Sequence, residues 1–236
     1  MIRVLIYNEY VHEKTEDKVK EIYPDGIHNC IKSAIEGDDI TVETVTLDDV
    51  DTITEERLSN TDVLIWWGHL AHHKVPDEVA ERVRAAVNKG MGFVVLHSGH
   101  HSKPFKLLMG TPCNLTWREN GDYELVWVVN PYHPIAQGIG RFIYLDHEEA
   151  YGEPFSVPEP DELVFIGSFE GGEVFRAGCC YQRGGRIFYF QPGHETYGAF
   201  HNDDVIKVIK NAIHWAVPVH RVDVLDAPHV KKPLED

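Results

Sequence analysis

Histidine is the residue type most able to do chemistry in this chain, which carries 15 of them. Imidazole is the commonest protein metal ligand and the usual acid–base group near neutral pH. Three segments concentrate it: Trp66-Trp67-Gly68-His69-Leu70-Ala71-His72-His73, His97-Ser98-Gly99-His100-His101 and Gln191-Pro192-Gly193-His194-Glu195. Each follows an apolar run. If those runs are neighbouring strands of an open parallel sheet, the segments gather at the strand ends where such sheets bind ligands. Helix caps and solvated side chains are the competing reading for any single histidine. His28, His214, His220 and His229 lie outside these segments and read as incidental.

Carboxylates come from Asp146-His147-Glu148-Glu149-Ala150-Tyr151-Gly152-Glu153, after another strand-like run. Imidazoles with carboxylates suit a divalent ion such as zinc, and equally suit general acid–base work. The expected metal ligands are His69, His100, His194 and Glu149. The expected catalytic groups are His97, Ser98, His194 and Glu195. A strand that runs straight into Ser-Gly-His and a helix is similar to a nucleophile elbow. Ser98 would then be a nucleophile with a histidine base. Leu96 and His100 occupy the two glycine places of that pattern, however, and His97 holds the most elbow-like position. Trp67, Trp117, Glu149 and Tyr151 are the expected sugar contacts, whereas Trp66 reads as core. Arg118, Arg176 and Arg183 read as partners of carboxylates such as Glu119, Glu153 and Glu173.

The elements that must position these groups follow from periodicity. Ile2 to Tyr7, Asp62 to Trp67 and Phe93 to Leu96 are near-continuous apolar runs, as in strands buried on both faces. Ile40 to Val45 alternates. Asp17 to Ile35 reads as a helix broken near Asp25, Pro76 to Lys89 as a helix closed by Gly90, and Asp203 to Ala216 as a last helix. Thr52 to Leu58 reads as a short helix with a capping box from Thr52 to Glu55. Strands are expected at 124–129, 142–145, 163–169, 173–181 and 186–190, with hairpin turns at Gly171-Gly172 and Gly184-Gly185. The alternation predicts a doubly wound, mostly parallel α/β sheet with helices on both faces and added hairpins in the second half. Residues 1–216 form one domain, and 217–236 an extended tail whose apolar character favours a homo-oligomer.

Composition narrows the partners. A hydrophobic fraction of 43% is ample for a core, and a formal net charge of -16 disfavours nucleic acid and anionic membranes. No apolar run reaches the ~18 residues of a membrane helix. The start, Met-Ile-Arg-Val-Leu-Ile-Tyr, is strand-like rather than signal-like. Cys30, Cys113, Cys179 and Cys180 lack Cys-x-x-Cys spacing and read as reduced thiols of a cytoplasmic protein. Neither a Gly-x-Gly-x-x-Gly nor a Walker pattern is present, so no nucleotide or flavin is expected.

Trp66-Trp67-Gly68-His69, Leu96-His97-Ser98-Gly99-His100, Trp117-Arg118-Glu119, Tyr151-Gly152-Glu153, Gly171-Gly172-Glu173-Val174-Phe175-Arg176 and Pro192-Gly193-His194-Glu195-Thr196 together resemble the ThuA-like family of trehalose utilization proteins. The resemblance spans about His12 to Ala216. It implies a flavodoxin-like fold of the class I glutamine amidotransferase type. Those enzymes use an elbow cysteine with a late histidine–glutamate pair. Here the elbow reads His97-Ser98, so glutaminase activity is not expected. The resemblance also implies a disaccharide or sugar-derivative ligand, and the histidine-rich pocket at the strand ends, able to hold zinc, is where it is expected to be handled. A non-catalytic sugar-binding protein and a Ser98 hydrolase are the alternatives.

Overall fold

The computed structural model describes residues 1–227, 229 and 231. Its strands are β1 (Ile2–Asn8), β2 (Ile40–Thr46), β3 (Val63–Trp67), β4 (Gly92–Leu96), β5 (Thr116–Val128), β6 (Phe142–Gly152), β7 (Glu162–Phe169), β8 (Val174–Gln182) and β9 (Arg186–Phe190). The helices are α1 (His12–Thr15), α2 (Asp17–Ile22), α3 (Ile27–Ile35), α4 (Glu55–Ser59), α5 (Asp77–Asn88), α6 (Lys103–Met109) and α7 (Asp203–Ala216). The strands form one sheet in the order β2-β1-β3-β4-β9-β8-β7-β5-β6.

The first half matches the apolar runs. Every residue of β3 and β4 is buried. Successive side chains point to opposite faces, so both faces must be covered. Helices do this in two groups, α3 with α7 and α5 with α4 and α6. Asn202 starts α7, its side-chain oxygen accepting the N–H groups of Asp204 and Val205 at 2.9 and 3.2 Å. Val205, Ile209 and Ile213 on its inner face are fully buried.

The expectation of a mostly parallel sheet is corrected. β2, β1, β3, β4 and β9 are parallel, but β9-β8, β8-β7, β7-β5 and β5-β6 are antiparallel. Most strand residues lie in the antiparallel half. The glycine turns are the reason, because a parallel crossover needs a dozen or more residues and a hairpin needs only a few. β9 is the seam between the two halves. Two further corrections concern length and caps. β5 begins at Thr116 and β6 runs on to Gly152, so the acidic cluster is strand rather than a segment following one. The capping box is Thr46 with Asp49, and α4 is capped by Thr54 instead of Thr52.

β5 and β6 pair with register shifts between Arg118 and Glu124. Such irregularities bend a strand. The distal part of β6 thereby reaches the parallel strand tips, although β6 stands at the far edge of the sheet. The described part of the tail lies back on this chain. The Val222 N–H donates to the Lys89 carbonyl at 3.0 Å, and Arg221 donates to the carbonyls of Ser59 and Thr61. The predicted tail beyond Ala227 lies largely outside the described residues.

β1 and β3 are tied at their entry by Asp62, which accepts the Arg3 backbone N–H at 2.9 Å and the Arg3 guanidinium at 2.8 and 3.1 Å. Partial burial works against the Asp62 charge, but these bonds hold its carboxyl below the usual range. A depressed carboxyl contributes stability above its unfolded-state pKa, and that contribution is lost as pH falls through the folded value. Asp62→Asn should therefore lower the urea midpoint at pH 7. The gap from wild type should shrink as pH drops below about 4, which urea melts across that window check.

Candidate functional site

At the tip of β4 the chain turns at once into the 3-10 segment His97–His101 and then α6. His97 takes φ 50°, a left-handed conformation uncommon outside glycine. Gly99 makes room for the turn: a Cβ there would stand 2.9 Å from Val95 Cγ1 and 3.1 Å from the Trp66 carbonyl oxygen. The elbow is therefore centred on His97, not Ser98. Read that way, Gly99 falls at the second glycine place of the elbow pattern, a match hidden when Ser98 is taken as the centre.

His97 is fully buried. Its Nδ1 lies 2.9 Å from the Gln191 carbonyl oxygen. A carbonyl only accepts, so the Nδ1 proton is donated there and Nε2 points the other way. Nε2 is 3.1 Å from Glu149 Oε2 and 3.3 Å from the Tyr151 hydroxyl. The Glu149 contact has ion-pair distance without hydrogen-bond geometry, so Glu149 Oε2 has no hydrogen-bond partner; His12 Nδ1 nearby is likewise unpartnered.

Two further arms close on His97. His69 follows β3, and its Nδ1 lies 2.8 Å from Glu195 Oε2. His194 follows β9 and meets the Thr196 hydroxyl through Nδ1 at 2.9 Å. The three rings stand 5.2 to 5.8 Å apart between centroids. One donor atom from each of His69, His97, His194 and Glu195 lies within 4.8 Å of the others. The structure thus brings together two of the expected ligands, His69 and His194. It completes the group with His97 and Glu195 in place of His100 and Glu149. His100 gives its Nδ1 proton to the Cys113 carbonyl at 2.8 Å and packs on Tyr151, Phe155 and Tyr189. Glu149 sits beside His97.

Burial disfavours the imidazolium of His97, yet the Glu149 contact and the charges of Glu149, Glu148 and Glu195 lift its pKa to about 9. His194 moves the other way, to about 3, through burial and the neighbouring His97 charge. Burial also opposes the Glu195 charge, but His69 brings that carboxyl down to about 2. Metal ions bind neutral imidazole and ionised carboxylate, so His194 and Glu195 stand in the binding form, whereas His97 would release its Nε2 proton on binding.

A cavity of about 470 Å³ opens on this group, within the range of small-molecule sites. His69, Ser98, His100, Trp117, Glu149, Tyr151, His194 and Glu195 line it. Trp117, 67% exposed, stands at its rim. Trp67 is withdrawn from it: the ring is fully buried and donates Nε1–H to the Gly193 carbonyl at 3.0 Å. Ser98 Oγ meets the Tyr151 hydroxyl at 2.8 Å rather than an imidazole, so it lacks the base a nucleophilic serine needs. Of the arginine pairings, Arg118 bonds Glu173 and Asp122, and Arg176 bonds Glu153.

Sequence reading passed over His12 and Glu9. His12 Nδ1 lies 3.3 Å from Glu195 Oε1. Glu9, 1% exposed, follows β1 directly, and a charged residue after a buried strand was the available signal.

The family model for trehalose utilisation matches residues 3–216. The chain belongs to the ThuA family. Solved ThuA-like structures share its fold. One from Bacteroides uniformis is 17% identical with a TM-score of 0.67, over 93% of this chain and 92% of that one. One from Parabacteroides merdae is 13% identical with a TM-score of 0.67, over 94% and 92%. A glutamine amidotransferase from Thermotoga maritima is 15% identical with a TM-score of 0.50, over 91% and 81%. No curated protein matches the chain. In this ThuA-family chain, the elbow position is held by His97. Among the described residues, no helix is long and apolar enough to cross a membrane.

Two outcomes test the elbow. Gly99→Ala should destabilise the fold by about 1–3 kcal/mol through overpacking against Val95 and Trp66, read as a lowered thermal midpoint. A fluorophosphonate probe should leave the wild-type protein unlabelled; labelling that Ser98→Ala removes would restore the nucleophile reading.

Proposed function

We propose that this chain binds a divalent metal ion, zinc by its donor chemistry, at His69, His97, His194 and Glu195, and acts on a sugar or sugar derivative held in the adjoining cavity. The observation that carries the reading is the mutual approach of these four donors to within 4.8 Å. Imidazole and carboxylate are both ligand types of zinc, and a catalytic ion held by three of these four donors would keep its fourth position open for water or substrate. The local arrangement fits such an ion. The Gln191 carbonyl fixes the His97 tautomer and leaves Nε2 facing inward. Glu195 Oε2 lies 2.8 Å from His69 Nδ1, which keeps these two donors side by side.

A bound ion of this kind polarises a carbonyl or lowers the pKa of water. The chain supplies the rest. Glu149 is ionised despite burial, because His97 faces it, and it can take a proton from a sugar hydroxyl or a water. The Tyr151 hydroxyl, within reach of both His97 and Ser98, can hold the oxygen on the other side. Trp117 offers an exposed apolar face for a sugar ring at the rim. Family membership supports a part in trehalose or related disaccharide use, and the sugar specificity of this chain belongs to the proposal.

Elemental analysis after zinc loading and desalting should find one equivalent per chain. His97→Ala and His194→Ala should each weaken affinity by more than about 100-fold, beyond the 10–100-fold loss typical of an outer partner. A wild-type protein that retains neither zinc nor cobalt at micromolar concentrations would sink the metal reading. Calorimetry with disaccharides should show binding that Trp117→Ala weakens; equal affinity in the variant would remove Trp117 from the sugar site.

A further inference from the structure

We infer that Glu9 and Glu148 are a pair of positioning residues, two buried carboxylates that each hold one arm of the histidine cluster by its backbone. The inference rests on the cluster proposed above, and concerns what sets its geometry. Glu9 follows β1. Its Oε2 accepts the N–H groups of His69 at 2.9 Å and Ala71 at 2.7 Å, and its Oε1 accepts that of Leu70 at 2.8 Å. Three successive amides therefore turn towards one carboxylate, an anion-binding nest made by the chain for its own side chain. The Glu9 backbone N–H also donates to the Trp67 carbonyl at 3.2 Å, which anchors the carboxylate to the same loop.

Glu148 repeats the device on the other arm. It is fully buried on β6. Its Oε2 accepts the Gly193 N–H at 2.9 Å, and its Oε1 accepts those of His194 at 3.1 Å and Glu149 at 2.9 Å. Neither carboxylate belongs to the group of four donors, and neither lines the cavity. Their hydrogen bonds reach the arms through backbone amides, and Glu148 in addition places a carboxylate near His97. The two arms leave different strands, β3 and β9, separated by β4, so nothing in the sheet ladder itself fixes the loops beyond the last paired residues. Loop conformation there is set by side-chain acceptors, and a carboxylate that takes three N–H groups selects one conformation. The pair thus sets where His69 and His194 stand relative to His97, whose own place is set by the elbow.

The test uses Glu9→Gln and Glu148→Gln in the full chain. An amide keeps the size but replaces one accepting oxygen with a donor that faces N–H groups. Hydrogen exchange on metal-free protein should show faster exchange confined to residues 69–71 in Glu9→Gln and to residues 149, 193 and 194 in Glu148→Gln. Circular dichroism should remain that of wild type. Cobalt(II) titration should give a changed ligand-field spectrum and a 10–100-fold loss of affinity, the effect expected of an outer partner. Unchanged local exchange with an unchanged cobalt spectrum would overturn the inference. If wild type binds no cobalt, the metal reading fails, and the exchange data alone decide whether the two carboxylates hold the arms. Where a glutamine variant does not fold, Glu9→Asp and Glu148→Asp keep the charge and shorten its reach. They should show the same local loosening, and wild-type exchange in them would equally overturn the inference.

Discussion

The site depends on β9 being bonded to a parallel strand on one edge and an antiparallel strand on the other. Parallel pairing with β4 places Leu96 opposite Phe190, so the next residues, His97 and Gln191, emerge side by side. That adjacency creates the hydrogen bond from His97 to the Gln191 carbonyl. Antiparallel pairing with β8 begins the meander that ends in β6, and the irregular β5–β6 ribbon bends Glu148, Glu149 and Tyr151 over the same strand tips. A wholly parallel sheet would have delivered the imidazoles without these carboxylates.

The electrostatics follow from that convergence. Burying a carboxylate is costly unless hydrogen bonds or opposite charge replace water. Glu9 and Glu148 offset it with backbone amides, in part only for Glu148, and Glu149 and Glu195 with imidazoles. Glu149 beside His97 favours the His97 imidazolium, and that charge together with burial pushes His194 the other way. Glu124 has no such provision. It is fully buried with both oxygens lacking hydrogen-bond partners, and burial together with Glu148 raises its carboxyl well above the usual range. Burial raises the Glu148 carboxyl as well, to about 7, so the two buried acids disfavour each other's charge.

Much of the fold was legible because local signals were strong. Apolar runs marked β1, β3 and β4, and periodicity marked α5 and α7 to within a residue or two. The three histidine segments were legible for the same reason, since strand ends in such a sheet are predictable. What the residues did not disclose was long-range. The turns at Gly171-Gly172 and Gly184-Gly185 already implied antiparallel pairing, but the parallel pattern of the first half was extended over them. Choosing His97 and Glu195 over His100 and Glu149 required knowing ring orientation. His100 turns its ring towards Phe155 and Tyr189, and neither residue is near it in sequence. Trp67 and Trp117 look alike in the chain, but one is sealed beneath the site and the other stands at its mouth.

The left-handed backbone at position 97 has a consequence for how this protein can change. Such a conformation costs a non-glycine residue on the order of 1–3 kcal/mol, and glycine or asparagine would sit there with less strain. The fold therefore gains nothing in backbone energy from histidine at the elbow. Folding and function make opposite demands at that one position. A library varied at residue 97 should separate them, with the best-folded members clustering among small permissive residues and the chemically competent ones staying with imidazole.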